Sequence, residues 1–328
     1  MLSRKVISKI IALIVGLFCI YIAYSSNTNK TYKINGSAYG TSWSVVSTSF
    51  IADHHEKNII KIIDHVDEIA SNYKIDSEIA IINQLPVDEE LTISSDLFNI
   101  LNIALEINKL SNGSYNIMLG KISSRLGFAP NFDKDLNQND DGGYTLTKNK
   151  SLIKESSNWF DLSSIAKGYA VQLIHDYLIN NNLSNHLIDI GGELITHGSN
   201  HDDPWIIGIQ DPYSFEEKAI YVVRNNNNFL AIATSGEYRN YKISDTNKVT
   251  HTIDPKTLKS IDSKILSVTV AHEYSATYAD ALATAFNVIG YPDAIKYANN
   301  NNIALMLVVD IDGGAELIFS NKWYDLNL

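Results

Sequence analysis

The stretch YSATYADALATAFNVIG, residues 274–290, predicts a helix that carries two oxygen donors on one face. Ser275 or Thr277 is suited to cap its N-terminus, and the glycine at its end, followed closely by a proline, stops it. Asp280 and Thr284 are four residues apart, so their carboxylate and hydroxyl lie side by side. Two hard oxygen ligands suit Mg²⁺, which takes few protein ligands and keeps water or phosphate oxygens for the rest.

The same pair of residues also has a purely structural explanation. Asp280 follows Thr277 by three residues, which is the spacing of a capping box. Thr284 can bond back to a carbonyl of the preceding turn. The spacing leaves both interpretations open, so other parts of the chain are needed to choose between them.

The composition is that of a folded protein with an acidic surface. The chain has 328 residues, enough for one large or two modest domains, and its 45% hydrophobic and 19% charged residues are typical of a globular core. A formal net charge of −11 disfavours nucleic acid and anionic lipid as partners of the surface as a whole. An anionic substrate would therefore need local positive charge from a metal ion, a helix N-terminus or a few placed cations.

The N-terminus has the pattern of an export signal. A group of cations ending at Lys9 precedes an uncharged apolar run from Ile10 to Tyr24, and the Ala-Tyr-Ser at its end resembles a small-x-small cleavage site. We expect residues 1–30 to be a signal peptide or an uncleaved membrane anchor. Residues 31–328 then form the exported domain.

The single cysteine of the chain, Cys19, lies inside this apolar run. Phe18 precedes it, whereas a lipid-attachment site needs a small residue there, so we interpret Cys19 as part of the apolar run. The exported domain contains no cysteine, and no disulfide can stabilise it.

Helix and strand patterns follow one another without regular alternation in the remaining chain. Apolar residues three or four positions apart predict amphipathic helices over 59–73 and 97–107. A third helix, of about four turns by the 3.6-residue period, follows DLSS at 161–164, with Ser163 or Ser164 as its cap. Strand patterns occur over 34–48, 187–189, 205–210, 219–223, 229–233, 267–271, 304–309 and 316–319. This mixture predicts an α+β fold.

Four short motifs place glycines, small side chains and charged groups at strand ends or helix starts. They are SIAKG at 164–168, DIGGE at 189–193, TSGEYRN at 234–240 and HTIDP at 251–255. Each alone is typical of an ordinary turn, but together they predict one cleft, because backbone N–H groups gather where strands end and helices begin. Arg239 could pair there with a carboxylate or a phosphate. Lys167 and His251 are candidates for chemistry, although a solvated lysine and a structural histidine are equally ordinary explanations.

Other reaction types lack their sequence patterns. There is no Ser-His-Asp order, no catalytic cysteine, no Walker-type phosphate loop and no GxGxxG motif. The pairs His54–His55 and His197/His201 lack the partners of a closed zinc site.

The motifs taken in order closely resemble those of the ApbE family, the FAD:protein FMN transferases. The matching blocks are DLSSIAKGYAVQ, LIDIGGELITHG, ATSGEYRNY, HTIDPKTLKSI and SVTVAHEYSATYADALATAFNVIG, preceded by GTSWSV and SNYKIDSEIAIIN. The resemblance runs from about Gly36 to the C-terminus. It implies a mixed α+β fold with FAD in a deep cleft, on the periplasmic side of the inner membrane. It also implies Mg²⁺-dependent transfer of FMN from FAD to a threonine of an acceptor protein, usually a membrane redox subunit, with release of AMP.

Individual roles follow from the resemblance by position. Asp280 and Thr284 match metal ligands, and a backbone oxygen near Ser164 completes that site. His251 matches the base for the incoming hydroxyl, and Tyr73 a stacking aromatic. The positions that the resemblance and the motifs assign to the cofactor cleft are Tyr39, Tyr73, Asn116, Asp161, Lys167, Glu193, Ser235, Gly236, Arg239, Thr252 and Ile253.

The chain departs from the family pattern at three places. Tyr39 stands where the family often has Met, Asn116 where it commonly has Asp, and Leu-Gly-Phe at 126–128 where it has Trp-Gly-Phe. These departures bear on the adenine side of the cleft and on the entry of water. Two other functions would use the same residues: a Mg²⁺-dependent FAD pyrophosphatase that gives FMN and AMP, and an exported flavin-binding protein without catalysis.

Overall fold

The computed structural model describes residues 4–27, 30–131, 135–138, 140–214, 216, 218–225, 228–236, 241–244 and 247–328. Its helices are α1 Arg4–Asn27, α2 Asp53–Ala70, α3 Glu78–Asn83, α4 Ser95–Leu110, α5 Gly120–Arg125, α6 Ala166–Asn180, α7 Ala276–Ile289, α8 Asp293–Asn300 and α9 Asn321–Asp325. Its strands are β1 Tyr32–Ala38, β2 Thr41–Ser47, β3 Glu90–Thr92, β4 Tyr144–Leu146, β5 Ser151–Lys154, β6 His186–Ile190, β7 Glu193–His197, β8 Trp205–Gln210, β9 Ala219–Asn225, β10 Phe229–Gly236, β11 Tyr241–Ser244, β12 Asn247–Thr250, β13 Ile253–Asp254, β14 Lys259–Ser260, β15 Ile265–His272, β16 Ala304–Ile311 and β17 Gly314–Phe319.

An eight-stranded antiparallel sheet is the framework of the protein. Its strand order is β1-β2-β6-β7-β10-β15-β16-β17. A three-stranded sheet, β3-β5-β4, and the two-stranded pairs β8–β9, β11–β12 and β13–β14 surround it. Antiparallel sheets with separate helices confirm the predicted α+β class.

The predicted strand over 34–48 is a hairpin of two strands instead. The chain reverses at Tyr39 and Gly40, which have φ angles of 53° and 74°. Two consecutive residues with positive φ form the tight turn that suits the twist of a hairpin. A tyrosine rarely takes this conformation, so its presence did not indicate a turn.

The register of the sheet defines two ends, which we call the site end and the far end. The turns at 39–40 and 191–192 and the end of β10 at Gly236 lie at the site end. The far end holds the row of cross-strand partners Tyr32, Ser47, His186, His197 and Phe229. The motif DIGGE and residues 234–236 of TSGEYRN therefore come to one end of the sheet.

One face of the sheet carries the main core. The apolar faces of α2, α4, α6 and α7 pack there in one cluster with residues of the central strands. The other face carries a smaller cluster around Trp323 of α9 and the β8–β9 pair. Both faces are thus covered, and the loops at the site end remain for function.

Two helices of the main core, α6 and α7, cross at Gly168. A Cβ atom at this position would lie 2.5 Å from the Ala276 carbonyl oxygen and 2.7 Å from Cβ of Asp280. Only glycine allows this approach. The close crossing brings the SIAKG motif against the helix that carries Asp280.

The start of α6 differs from the prediction. We expected Ser163 or Ser164 to cap it, but the helix begins at Ala166 after Ile165, without a side-chain cap. The Ser164 hydroxyl donates instead to the hydroxyl of Tyr115, at 3.1 Å. The cap prediction is therefore wrong, although Lys167 does lie in the first turn.

The N-terminal apolar run forms α1, and its segment Arg4–Ile22 is long and apolar enough to cross a membrane. None of that segment is buried against the rest of the protein.

Candidate functional site

Asp280 lies where α7 crosses α6 and is only 5% exposed. Its Oδ2 accepts a hydrogen bond from the backbone N–H of Gly168, at 2.9 Å. The N-cap of α7 is Ser275, whose hydroxyl accepts from the N–H of Tyr278. Thr277 is buried within the first turn, so the capping box that could have explained Asp280 is not formed. The carboxylate is directed at the start of α6.

The hydrogen bond from Gly168 to Asp280 also leaves the backbone carbonyl oxygen of Ser164 without its helical donor. In a longer helix the N–H of Gly168 would bond to the carbonyl of Ser164, four residues earlier, but here it donates to Asp280. Among the described residues nothing donates to the Ser164 carbonyl. Thr284 lies one turn after Asp280, half-buried, and its hydroxyl has no hydrogen-bond partner in the described part of the chain. The arrangement offers three hard oxygen donors.

An ion pair flanks these donors. The Lys167 Nζ lies 2.5 Å from Oε2 of Glu193, with side chains 27% and 5% exposed. Burial lowers the pKa of Lys167, but the charges of Glu193 and Asp280 outweigh it and raise the pKa overall. Lys167 therefore stays a cation.

The two buried carboxylates exceed the single cation beside them. Burial raises the pKa of Glu193 to about 8, and the charge of Asp280 adds to this, while Lys167 opposes both. Burial likewise raises the pKa of Asp280, against Lys167 and the N–H of Gly168. Both raised pKa values mean that Lys167 alone does not compensate the two carboxylates, and a divalent cation beside the free oxygen donors would favour their ionised forms.

The chemical type of these ligand atoms, as well as their charge, is compatible with a magnesium ion. The described residues contain no group of three or more His, Cys, Asp or Glu side chains placed to hold a metal. Zinc and calcium sites usually draw on such groups, whereas Mg²⁺ needs one or two carboxylates and completes its shell with water and phosphate. Asp280, Thr284 and the Ser164 carbonyl would be the protein's share.

Asp161 and Tyr73 form a second part of the site, between α2 and the loops around α5. Asp161 Oδ1 accepts from the side-chain N–H of Asn72 at 2.5 Å and from the backbone N–H of Ser163 at 3.0 Å. The Tyr73 hydroxyl donates to the Phe128 carbonyl at 2.6 Å. The ring of Tyr73 is 67% exposed, so it has a free face for stacking. Burial of the hydroxyl, and then the charge of Asp161, raise the pKa of Tyr73.

His251 lies beside this second part. Its ring stands edge-on to that of Phe128, with centroids 6.2 Å apart. The next residue, Thr252, is buried, and its hydroxyl accepts from Nδ2 of Asn287 at 3.3 Å. Asn287 lies two turns after Asp280 on α7, so this bond ties the imidazole segment to the helix with the oxygen donors. Ile253 is buried with Leu119 and Ile122.

The remaining predicted residues divide into three groups. Tyr39 lies at the site end, with its hydroxyl bonded to the Ile63 carbonyl of α2 at 2.6 Å. Ser235 and Gly236 end β10 at the same edge. Arg239 lies outside the described residues.

The side chain of Asn116 forms hydrogen bonds with neighbouring backbone groups. Its side chain donates to the Asp141 carbonyl at 2.8 Å and accepts from the N–H of Met118 at 2.7 Å. It lines a crevice of about 160 Å³ together with Asp141 and Glu155. None of the other predicted site residues lines that crevice.

Sequence reasoning missed three residues that position the site. Gly168, Asn72 and Asn287 hold Asp280, Asp161 and Thr252, respectively. Gly168 and Asn72 lie inside the matching motifs, and Asn287 lies two turns after Asp280, so the motifs contained the signal. Their partners are distant in sequence and could not be inferred from spacing.

Comparison with known proteins gives consistent results. Residues 39–307 match the sequence profile of the ApbE family. The chain is 31% identical to the FAD:protein FMN transferase of Vibrio cholerae, over 86% of this chain and 88% of that one. It is also 31% identical to the FAD:protein FMN transferase of Haemophilus influenzae, over 95% of both chains.

The fold is similar to solved structures over nearly its whole length. The flavin transferase ApbE from Vibrio cholerae superposes with a TM-score of 0.79 at 29% identity, over 90% of this chain and 99% of that one. The apo form of the Pseudomonas stutzeri flavinyl transferase ApbE gives 0.80 at 25% identity, over 90% and 96%. Profile, relatives and fold agree, and this chain belongs to the ApbE family.

Proposed function

We propose that the protein transfers FMN from FAD to a threonine hydroxyl of an acceptor protein, with release of AMP and dependence on Mg²⁺. One observation carries this proposal: the N–H of Gly168 bonds to Asp280 and leaves the Ser164 carbonyl free beside a buried carboxylate. Relatives named FAD:protein FMN transferase, with 31% identity over most of the chain, support the same reaction.

The reaction replaces one phosphate ester by another. The threonine oxygen attacks the phosphorus of the FMN half, the bond from that phosphorus to the bridging oxygen breaks, and AMP leaves with that oxygen. His251 accepts the hydroxyl proton, since a neutral imidazole suits this task near pH 7. When bound, Mg²⁺ supplies the charge neutralisation that makes a pyrophosphate susceptible to attack.

Residues of this chain hold the substrate in place. Lys167, kept as a cation by Glu193, gives the pyrophosphate a positive partner in the first turn of α6. The exposed ring of Tyr73 stacks on the flavin, and Asp161, fixed by Asn72, binds a hydroxyl or ring N–H of the nucleotide. Ser235, Gly236, Thr252 and Ile253 form the wall of the same cleft. Local cations thus allow an acidic protein to bind a dianion.

We place the reaction outside the cytoplasm. Residues 1–30 serve as a signal or membrane anchor, supported by the apolar helix α1, and residues 31–328 form the transferase domain. The acceptor is then a protein on the periplasmic side of the inner membrane, such as a subunit of a redox complex.

A single assay tests the proposed function against its alternatives. The full chain is incubated with FAD, Mg²⁺ and a threonine-bearing acceptor protein, and the acceptor mass and AMP are followed together. Equal amounts of AMP and of acceptor carrying FMN support transfer. AMP without a change in acceptor mass would show hydrolysis, and FAD binding without either product would show a binding protein.

The role of His251 has its own test in this assay. His251→Ala should slow transfer by about 10²-fold or more while FAD binding changes little, because only proton removal is lost. An unchanged rate would reject the role of base.

A further inference from the structure

An exposed aromatic pair lies at the far end of the sheet. Phe50 is 64% exposed, and its ring stands edge-on to that of Tyr32, with centroids 5.3 Å apart. The Lys30 Nζ lies 4.9 Å from the centroid of the Tyr32 ring. Ile51, next in the chain, is buried in the main core, so the base of the pair is fixed. We call Lys30, Tyr32 and Phe50 the far-end patch.

The patch lies where the chain enters the domain. Helix α1 ends at Asn27 and β1 begins at Tyr32, which leaves four residues, 28–31, between them. Four residues span at most about 14 Å. A membrane that holds α1 would therefore lie close to the patch.

We propose that the far-end patch rests on the lipid headgroups of the bilayer that anchors α1, so that the cleft opens away from the membrane. The proposal rests on the anchoring role given to α1 above. Aromatic rings with a lysine beside them are the side chains that favour a membrane–water interface, where an apolar ring and a polar tip are both satisfied. An exposed phenylalanine next to an anchor has no such partner in water.

The charge around the patch indicates which lipid it fits. Asp53 and Glu56 lie in the first turn of α2, directly after the patch, so this is not a broad basic surface. Binding depends on insertion of the rings rather than on attraction to anionic lipid. Zwitterionic phosphatidylcholine should suffice.

The orientation sets a condition on the acceptor. Strand β1 has seven residues and leads from the patch to the turn at Tyr39 and Gly40, a distance of about 20 Å. With β1 along the membrane normal, the cleft would then open about this far above the headgroups. The acceptor threonine has to lie on a part that projects into water, and a threonine at the membrane surface is out of reach.

Depth-dependent fluorescence quenching tests the orientation. The single native cysteine is removed with Cys19→Ala, and one new cysteine is introduced at the patch, Ser49→Cys, or beyond the C-terminal end of α2, which begins just after the patch, Ile75→Cys. Each full chain is labelled, reconstituted into phosphatidylcholine vesicles and floated to verify anchoring. A nitroxide on the lipid headgroup should quench the label at position 49 at least about three-fold more than the label at position 75.

A matched pair of substitutions tests the patch itself. Phe50→Ser, in the Ser49→Cys background, should reduce quenching about two-fold because the ring no longer holds this end at the headgroups. Ile75→Ser, which removes a side chain that is 68% exposed beyond the C-terminal end of α2, should leave the quenching unchanged. Equal loss in both variants would overturn the proposal.

The remaining outcomes are also decisive. Equal quenching at positions 49 and 75 in floated vesicles overturns the orientation. Failure of the chain to float overturns the anchor and the orientation with it. Transfer of FMN to a soluble acceptor, measured on the same samples, tests the proposed function separately from either result.

Discussion

The strands β6 and β7 carry buried ionisable side chains at both of their ends. These side chains form an ion pair at one end and are neutral at the other. At the site end, Glu193 is buried as half of an ion pair with Lys167, and Asp280 lies near it. At the far end, His186 and His175 are buried without any carboxylate partner among the described residues. One end keeps charge in the interior, and the other keeps its groups neutral.

Burial keeps the histidines of the far end neutral, and hydrogen bonds satisfy the nitrogens of the neutral rings. His186 Nδ1–H donates to the Leu183 carbonyl at 2.6 Å, which leaves its Nε2 as an acceptor. His175 Nδ1–H donates to that Nε2 at 2.9 Å. Burial, and then the neighbouring histidines, lower the pKa of His175 to about 3. For His186, burial and the charge of His197 outweigh the bond to Leu183 and lower the pKa to about 4.

At the charged end, the buried acidic and basic groups are unequal in number. Two carboxylates face one lysine, and each of their pKa values is raised by burial. A fold that needed only stability would satisfy these groups as it satisfies the histidines. Two buried carboxylates with only one lysine beside them therefore mark the end of the sheet where a divalent cation and an anionic substrate are expected.

The largest effect is expected for Asp280→Asn. Its amide oxygen can still accept from the N–H of Gly168, but the charge that attracts a divalent cation is lost. Transfer should fall by about 10³-fold, and the dependence of the rate on Mg²⁺ concentration should disappear. The melting temperature should stay level or rise, since a buried charge is removed. A normal rate in this variant would remove the metal assignment.

Much of the fold was predictable from local patterns. Residues 205–210 form a strand with the predicted bounds, and the strands predicted over 304–309 and 316–319 appear as β16 and β17. The hairpin at Tyr39 was missed because its turn uses a residue with low preference for positive φ. The strand order could not be predicted, since the pairing of β10 with β7 and β15 depends on packing between distant segments.

The site was predictable where a motif carried it. Turns with glycine and charged residues indicated Lys167 and Glu193, and the four-residue spacing indicated Asp280. What spacing could not decide was whether Asp280 caps its own helix, because that depends on a contact with Gly168, 112 residues earlier. His175 and His186 escaped notice for the same reason, because they meet only through the packing of α6 on β6.

The second largest effect is expected for Gly168→Ala. The added methyl would meet the Ala276 carbonyl and Cβ of Asp280, neither of which can move without separating α6 from α7. We expect a loss of about 3 kcal/mol in the free energy of unfolding, measured by urea denaturation, together with a loss of transfer. Gly314→Ala is the control, since its nearest atom is 3.6 Å away, and should change stability by less than about 0.5 kcal/mol. Equal stability of the two variants would contradict the close crossing.

A smaller loss is expected for Glu193→Gln, which leaves Lys167 buried without its partner. The free energy of unfolding should fall by about 2 kcal/mol. Adding Lys167→Met should recover most of this loss of stability, but it should weaken FAD binding, because the cation for the pyrophosphate is then missing. Asp293→Asn, which breaks an exposed pair with Lys296, should cost less than about 0.5 kcal/mol. If Lys167→Met failed to restore stability, the buried pair would not be the cause.

The smallest expected effect is on the pH dependence of the free energy of unfolding, to which the site end and the far end contribute with opposite sign. Folding lowers the pKa of His175. Below about pH 6.5 the unfolded chain therefore binds a proton at this histidine, whereas the folded protein does not. The free energy of unfolding falls as a result. Glu193 acts with the opposite sign, because its raised pKa makes stability fall as the pH rises from about 4.5 towards 8. The dependence of the free energy of unfolding on pH therefore contains contributions of opposite sign from the two ends of the sheet.

Comparison of the wild type with His175→Gln isolates the far end. The glutamine side chain can still donate to His186 but does not titrate. Between pH 6 and pH 5, the free energy of unfolding of the wild type should fall by about 1 kcal/mol more than that of the variant, measured by urea denaturation at each pH. Above pH 7 the two curves should run parallel, since neither state takes up a proton at this position. Parallel curves at every pH would mean that His175 titrates alike in both states, and the contrast between a neutral and a charged end would be lost.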